Sequence, residues 1–137
     1  MDTPVTKATD SFPAVPGILR VAVGASVLAG LIHYAVIPEH RAEWWLYAVF
    51  FTLLGAFQIV WAGYFCVDDR RALWWLGLAV NAATLALWAI TRTTGLPFGP
   101  DAGEAEAVEV LDVISGVAEL IVIATLLSRM RLSRPSP

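Results

Sequence analysis

The sequence predicts an all-α fold, an antiparallel four-helix bundle set in a membrane. Two observations carry that expectation. Of the 137 residues, 58% are apolar and only 15% charged, with a mean hydropathy of +0.67, too hydrophobic for a water-soluble chain of this size. The apolar residues also gather into four runs, near Gly17–Ile37, Trp44–Val67, Leu73–Ile90 and Val108–Leu127. Each approaches the roughly 20 residues a helix needs to cross about 30 Å of hydrocarbon.

Residues 1–16, MDTPVTKATDSFPAVP, are polar and carry three prolines, the composition of a disordered tail. They do not fit a cleaved signal peptide, whose charged region lacks acids and whose apolar stretch is shorter. Residues 17–127 form the transmembrane domain, and residues 128–137 read as a basic cytoplasmic tail. The PEHRAE and VDDRRA connections are short enough to enforce antiparallel hairpins. Pro38 is expected to end the first helix, with the second starting near Glu43. The third connection, TRTTGLPFGPDAGEAEAVE, is longer. Its glycines and prolines mark a shaped loop, and its acids complement the N-terminal dipole of the fourth helix.

Of the 9 basic residues, Lys7, Arg20, Arg70, Arg71, Arg129, Arg131 and Arg134 fall on one side, and Arg41 and Arg92 on the other. The excess predicts a multi-pass protein of the cell membrane with both termini cytoplasmic. Trp44, Trp45 and Tyr47 then mark the outer interface, and Tyr64, Trp74 and Trp75 the inner one. A net charge of −3 excludes the basic surface that nucleic acid demands. Cys66 is the single cysteine, which rules out a disulfide framework or thiolate cluster and suggests a small apolar filler.

Helices in lipid associate through small residues and through polar groups that must find partners. Every predicted helix carries such a stripe: Ala22, Ser26, Gly30 and His33; Gly55, Gln58 and Ala62; Gly77, Asn81 and Thr84; Asp112, Ser115, Gly116 and Glu119. Counting down from the outer ends at 1.5 Å per residue sets His33 and Asp112 at about 6 Å, facing each other. Ser26, Asn81 and Glu119 form a central layer about 15 Å down, with Gln58 somewhat deeper. Packing alone accounts for the serine and the amides. Glu119 is the costliest residue, at about 2.5 to 3.5 kcal/mol for an acid at mid-bilayer, so it must be neutral, paired or bonded to amides such as Asn81 and Gln58.

The stretch HYAVIPEHRAEWW holds both histidines of the chain. His40 and Glu43 share a face if their turn is helical. With His33, Glu39, Glu109 and Asp112, and with Glu106 in the loop, they outline a site suited to zinc, iron or manganese. A solvated headgroup turn is the plainer reading of Glu39, His40 and Glu43, because neither HExxH nor paired ExxH motifs occur. Copper(I) would need thioether or thiolate ligands, which lie outside the core. Two-histidine haem ligation does not fit, because both histidines sit on one side of one hairpin. Arg92 is placed to cap the loop by a salt bridge to these acids, or to line a pocket mouth for a lipid headgroup or quinone-like ligand.

HYAVIPEHRAEWW, Gln58, Asn81, RTTGLPFGP, Asp112 and Glu119 together resemble a group of small four-span membrane proteins of actinobacteria and relatives. The resemblance spans most of residues 20–127. It implies a recurring pattern and supplies no activity. The residues themselves favour a binding protein that holds a metal cation or small polar ligand in the outer half of the bundle. An accessory or assembly subunit of a membrane complex is one alternative, and a proton-coupled carrier or channel built as a homo-oligomer around Glu119 is another. An enzyme is the weakest class, since no nucleophile with its base, phosphate loop or cofactor fingerprint is present.

Overall fold

The computed structural model describes residues 17–133; the predicted tail at 1–16 and the last four residues lie outside that span. Four helices make up the fold: α1 (Gly17–Glu43), α2 (Trp45–Val67), α3 (Arg71–Thr93) and α4 (Val110–Leu132). Each is long and apolar enough to cross a membrane. Residues 128–132, expected in a tail, are instead the last turn of α4.

Pro38 does not end α1. The helix runs through it to Glu43. A proline strips the carbonyl four residues earlier of one bond, and here that carbonyl belongs to Tyr34, which like Pro38 is exposed. The loss therefore falls on the surface. The break comes at Trp44, a single extended residue (φ −158°, ψ 132°) between α1 and α2, whose N–H donates to the His40 carbonyl at 2.9 Å.

α1 packs against α2 and α4, and α4 packs against α3, whereas α2 and α3 touch least. The helices thus run α2–α1–α4–α3 around a ring that stays almost unclosed between α3 and α2. Gly30 and Gly55 set the α1–α2 contact, because a Cβ on Gly30 would stand 3.0 Å from the Gly55 carbonyl and 2.9 Å from Ile59 Cγ1. This close approach lets Ser26 Oγ donate to the Gln58 carbonyl at 2.9 Å.

The end of the bundle that carries the Asp68–Arg70 turn is filled. Leu19, Val122 and Leu126 are fully buried there. Trp61 stacks on Phe65 with centroids 4.6 Å apart and donates its indole N–H to the Leu73 carbonyl at 2.9 Å. Trp74 donates to Asp69 at 2.5 Å, and Asp69 also accepts from Arg129 at 3.0 Å. One carboxylate thus fastens the α2–α3 turn to α3 and α4. In the same turn, the hydrogen bond from Arg70 holds the Asp68 carboxyl below its ordinary range. Trp45, Tyr64 and Trp75 remain more than 60% exposed at the two ends, where amphipathic rings meet a membrane interface. Trp74 does not join them, being drawn inward to Asp69. Cys66 is exposed on α2 and fills no space.

Candidate functional site

A cavity of about 430 Å³ occupies the opposite end, where α2 and α3 diverge. Its floor is His33 and Glu119. Its walls are largely apolar and aromatic, with Phe51 from α2 and Leu87 and Trp88 from α3. The α3–α4 loop supplies the roof. That loop turns back at Gly95, where φ is +69° and any Cβ would strike the Glu104 backbone at 2.2 Å, and it is pinned by the Glu106 N–H donating to the Thr91 carbonyl at 2.9 Å. Phe98 is thereby carried over to Trp44, with ring centroids 6.5 Å apart.

The floor joins three helices. His33 Nε2 of α1 and Glu119 Oε1 of α4 are 3.2 Å apart, and Gln58 Nε2 of α2 donates to the same Oε1, also at 3.2 Å. His33 is 5% exposed and Glu119 2%. Asn81 stands apart from this node, for its amide donates to the Gly77 carbonyl of its own helix at 2.8 Å. Ser26 enters only indirectly, through the backbone of Gln58.

His33 and Asp112 do not face each other. Because α1 extends to Glu43, His33 lies ten residues below its end, about 15 Å. Glu119, nine residues into α4, is at about 14 Å. The two are level, whereas Asp112 is two residues from its helix start. There Asp112 Oδ2 accepts the Glu109 N–H at 3.1 Å and both Nε and Nη2 of Arg92, at 3.0 and 2.5 Å. Arg92 also binds Glu106 and the Thr91 hydroxyl at 3.1 Å. It lines the cavity, but its charge is already balanced by two carboxylates, and its work is to tie the loop to the ends of α3 and α4.

His40 and Glu43 share a helical face as expected, with His40 Nδ1 and Glu43 Oε2 3.0 Å apart. Glu39 and Glu109 are exposed. Among the described residues no three of His, Cys, Asp or Glu converge as a metal site would require. The predicted ligands divide instead into the His33–Glu119 pair, the His40–Glu43 pair and the Arg92–Asp112–Glu106 cluster.

Sequence reasoning missed Phe51, whose ring stacks on His40 at 4.4 Å and lies 5.6 Å from His33. The signal was present: His33 and His40 are seven residues apart, two turns of one face, and Tyr47 and Phe51 are four apart.

Among the described residues, the sealed side-chain atoms without a partner are Gln58 Oε1, Asn81 Oδ1, Trp88 Nε1 and Arg129 Nε. Among the described residues no partner is seen for Glu119 Oε2 or His33 Nδ1, and both residues line the cavity. Two neutral arrangements satisfy the node. In one, the acid proton sits on Oε2 and His33 donates from Nε2, leaving Nδ1 as acceptor. In the other, Oε1–H donates to Nε2, leaving Nδ1–H as donor and Oε2 as acceptor. Either way the two atoms left over are one donor and one acceptor. No protein-family profile, curated protein sequence or solved structure matches the chain.

Proposed function

We propose that this protein binds a small, largely apolar molecule in the cavity between α2 and α3, holding a hydroxyl or carbonyl group of that molecule on Glu119 and His33. One observation carries the reading: a buried acid and imidazole, paired through Oε1 and Nε2 and each with a second polar atom to spare, line a largely apolar cavity. Packing needs no ionisable group at mid-depth, and an intramembrane acid is by default a candidate functional site. The volume of about 430 Å³ lies in the range of about 300–1,000 Å³ usual for small-molecule sites. The basic residues of the sequence favour cytoplasmic termini, which sets the cavity in the outer half of the cell membrane. A charged or strongly hydrated ligand fits poorly, because Arg92 is already paired and the walls offer few partners for water-loving groups.

The test is thermal unfolding of the purified protein in detergent with naphthol or decanol added. Thr84 lines the cavity and its hydroxyl serves only the Val80 carbonyl of its own helix, at 2.9 Å, so Thr84→Phe fills the space without stripping the floor. We expect both compounds to raise the Tm of the wild-type protein, by the equivalent of about 2.7 kcal/mol at a hundredfold excess over Kd. Thr84→Phe should show no such rise. Equal shifts in the two proteins would sink the proposal.

A further inference from the structure

We infer that the ligand class is a membrane-dissolved quinone and its quinol: a flat oxygenated ring on an apolar tail, entering between α2 and α3 with the ring first. This rests on the cavity reading above and names its occupant.

Four features point the same way. Of the polar groups that line the cavity, Arg92 and Asp112 are paired with each other near the helix ends, and Glu119 and His33 lie deep, about 14 to 15 Å down. An occupant must therefore bring its oxygen deep and leave its apolar body above. A phospholipid does the reverse, since its head belongs at the interface, where Arg92 is already neutralised by Asp112 and Glu106. The walls are ring-shaped surfaces: Phe51, stacked on His40, Trp88 across the cavity, and Phe98 and Trp44 above. Aromatic faces receive a flat ring better than a flexible chain. The gap between α2 and α3, the least joined neighbours in the ring of helices, gives a tail a way out into lipid.

The floor chemistry then discriminates within flat rings. A quinone carbonyl only accepts, and it meets the donor of the pair, whichever of Oε2–H or Nδ1–H is present. A quinol hydroxyl both accepts and donates, and it meets donor and acceptor together. The His33–Glu119 pair therefore receives both oxidation states, switching between its two neutral arrangements without acquiring net charge in a low-dielectric site. A ring with no oxygen leaves Oε2 and Nδ1 desolvated and unpartnered, and binds more weakly for it.

Quinones quench tryptophan fluorescence on contact, and Trp44 and Trp88 line the cavity. The experiment titrates the full-length protein in lipid nanodiscs with a decyl-benzoquinone whose ring is fully substituted, so that the exposed Cys66 thiol cannot add to it. We expect saturable quenching, reversed by the corresponding quinol, which competes without quenching. His33→Ala should weaken the apparent affinity about tenfold, the equivalent of one good hydrogen bond. His33→Gln serves if the alanine variant fails to fold, since its amide can bond Glu119 but supplies no second ring nitrogen. Thr84→Phe should abolish the saturable phase. Quenching that rises without saturation, or that is unchanged in the His33 and Thr84 variants, overturns the quinone assignment. If naphthol and decanol still stabilise the wild-type protein but not Thr84→Phe, the cavity stands as a ligand site and only its occupant was misnamed; if they do not, both readings fall.

Discussion

Glu119 Oε1 accepts from Gln58 Nε2 and is paired with His33 Nε2, groups of two other helices. The consequences of changing it can be separated. Glutamine preserves a carbonyl oxygen at that point and turns an amide toward the cavity, so Glu119→Gln should cost less than about 1 kcal/mol. Alanine removes the acceptor and strands two buried groups, for a loss of about 2–4 kcal/mol. Unfolding midpoints of the two variants in detergent check this, and near-equal midpoints would show that the node carries little stability. The sequence alone marked both members of the pair, because an acid and a histidine stand on the small-residue faces of apolar runs. Measured from Ile37, His33 falls level with Asp112; measured from Glu43, where α1 ends, it falls level with Glu119. Six residues of helix, about 9 Å, moved the histidine from one carboxylate to the other.

That shift belongs to the element scale, where the four helices were legible as hydropathy and the fate of Pro38 was not. A proline in an apolar run reads as a stop because it removes a bond and crowds the preceding turn. On α1 its cost falls on the exposed face, while His33 and Ile32 below it are buried and His40 above it stacks on Phe51. Contacts on both sides of the proline outweigh one lost bond and carry the helix through to Glu43. Pro38→Ala should therefore restore the bond to the Tyr34 carbonyl and raise the Tm. The gain should be at least about 1 kcal/mol, given that an interior proline costs a helix about 3 kcal/mol. Were Pro38 instead shaping a turn, the same substitution would lower the Tm.

At the scale of the molecule, the two halves differ in how they close. The half with the Asp68–Arg70 turn is shut by Trp61 over Gly77, by Phe65 and by the Asp69 clamp. The other half keeps α2 and α3 apart and is bridged only by the loop. Hydropathy could not reveal this, because a short turn fixes that two helices are antiparallel neighbours in sequence but not that they pack along their length. Nor does a stripe of small residues say which stripes meet: Asn81 has the right level and the wrong neighbour, bonded within its own helix. The asymmetry predicts where lipid reaches the interior. Trp88 lines the open cavity, whereas Trp61 is 2% exposed in the closed half. In vesicles of lipids brominated along the acyl chain, which quench tryptophan by contact, Trp88 should contribute to the quenchable fluorescence and Trp61 should not. Replacing each by phenylalanine in turn separates the two, since phenylalanine keeps a ring in place and removes only the reporter. Trp88→Phe should shrink the quenchable fraction and Trp61→Phe should enlarge it, because the latter deletes a shielded emitter from the total. A bundle closed along its whole length would shield both, and the two substitutions would then move the fraction alike.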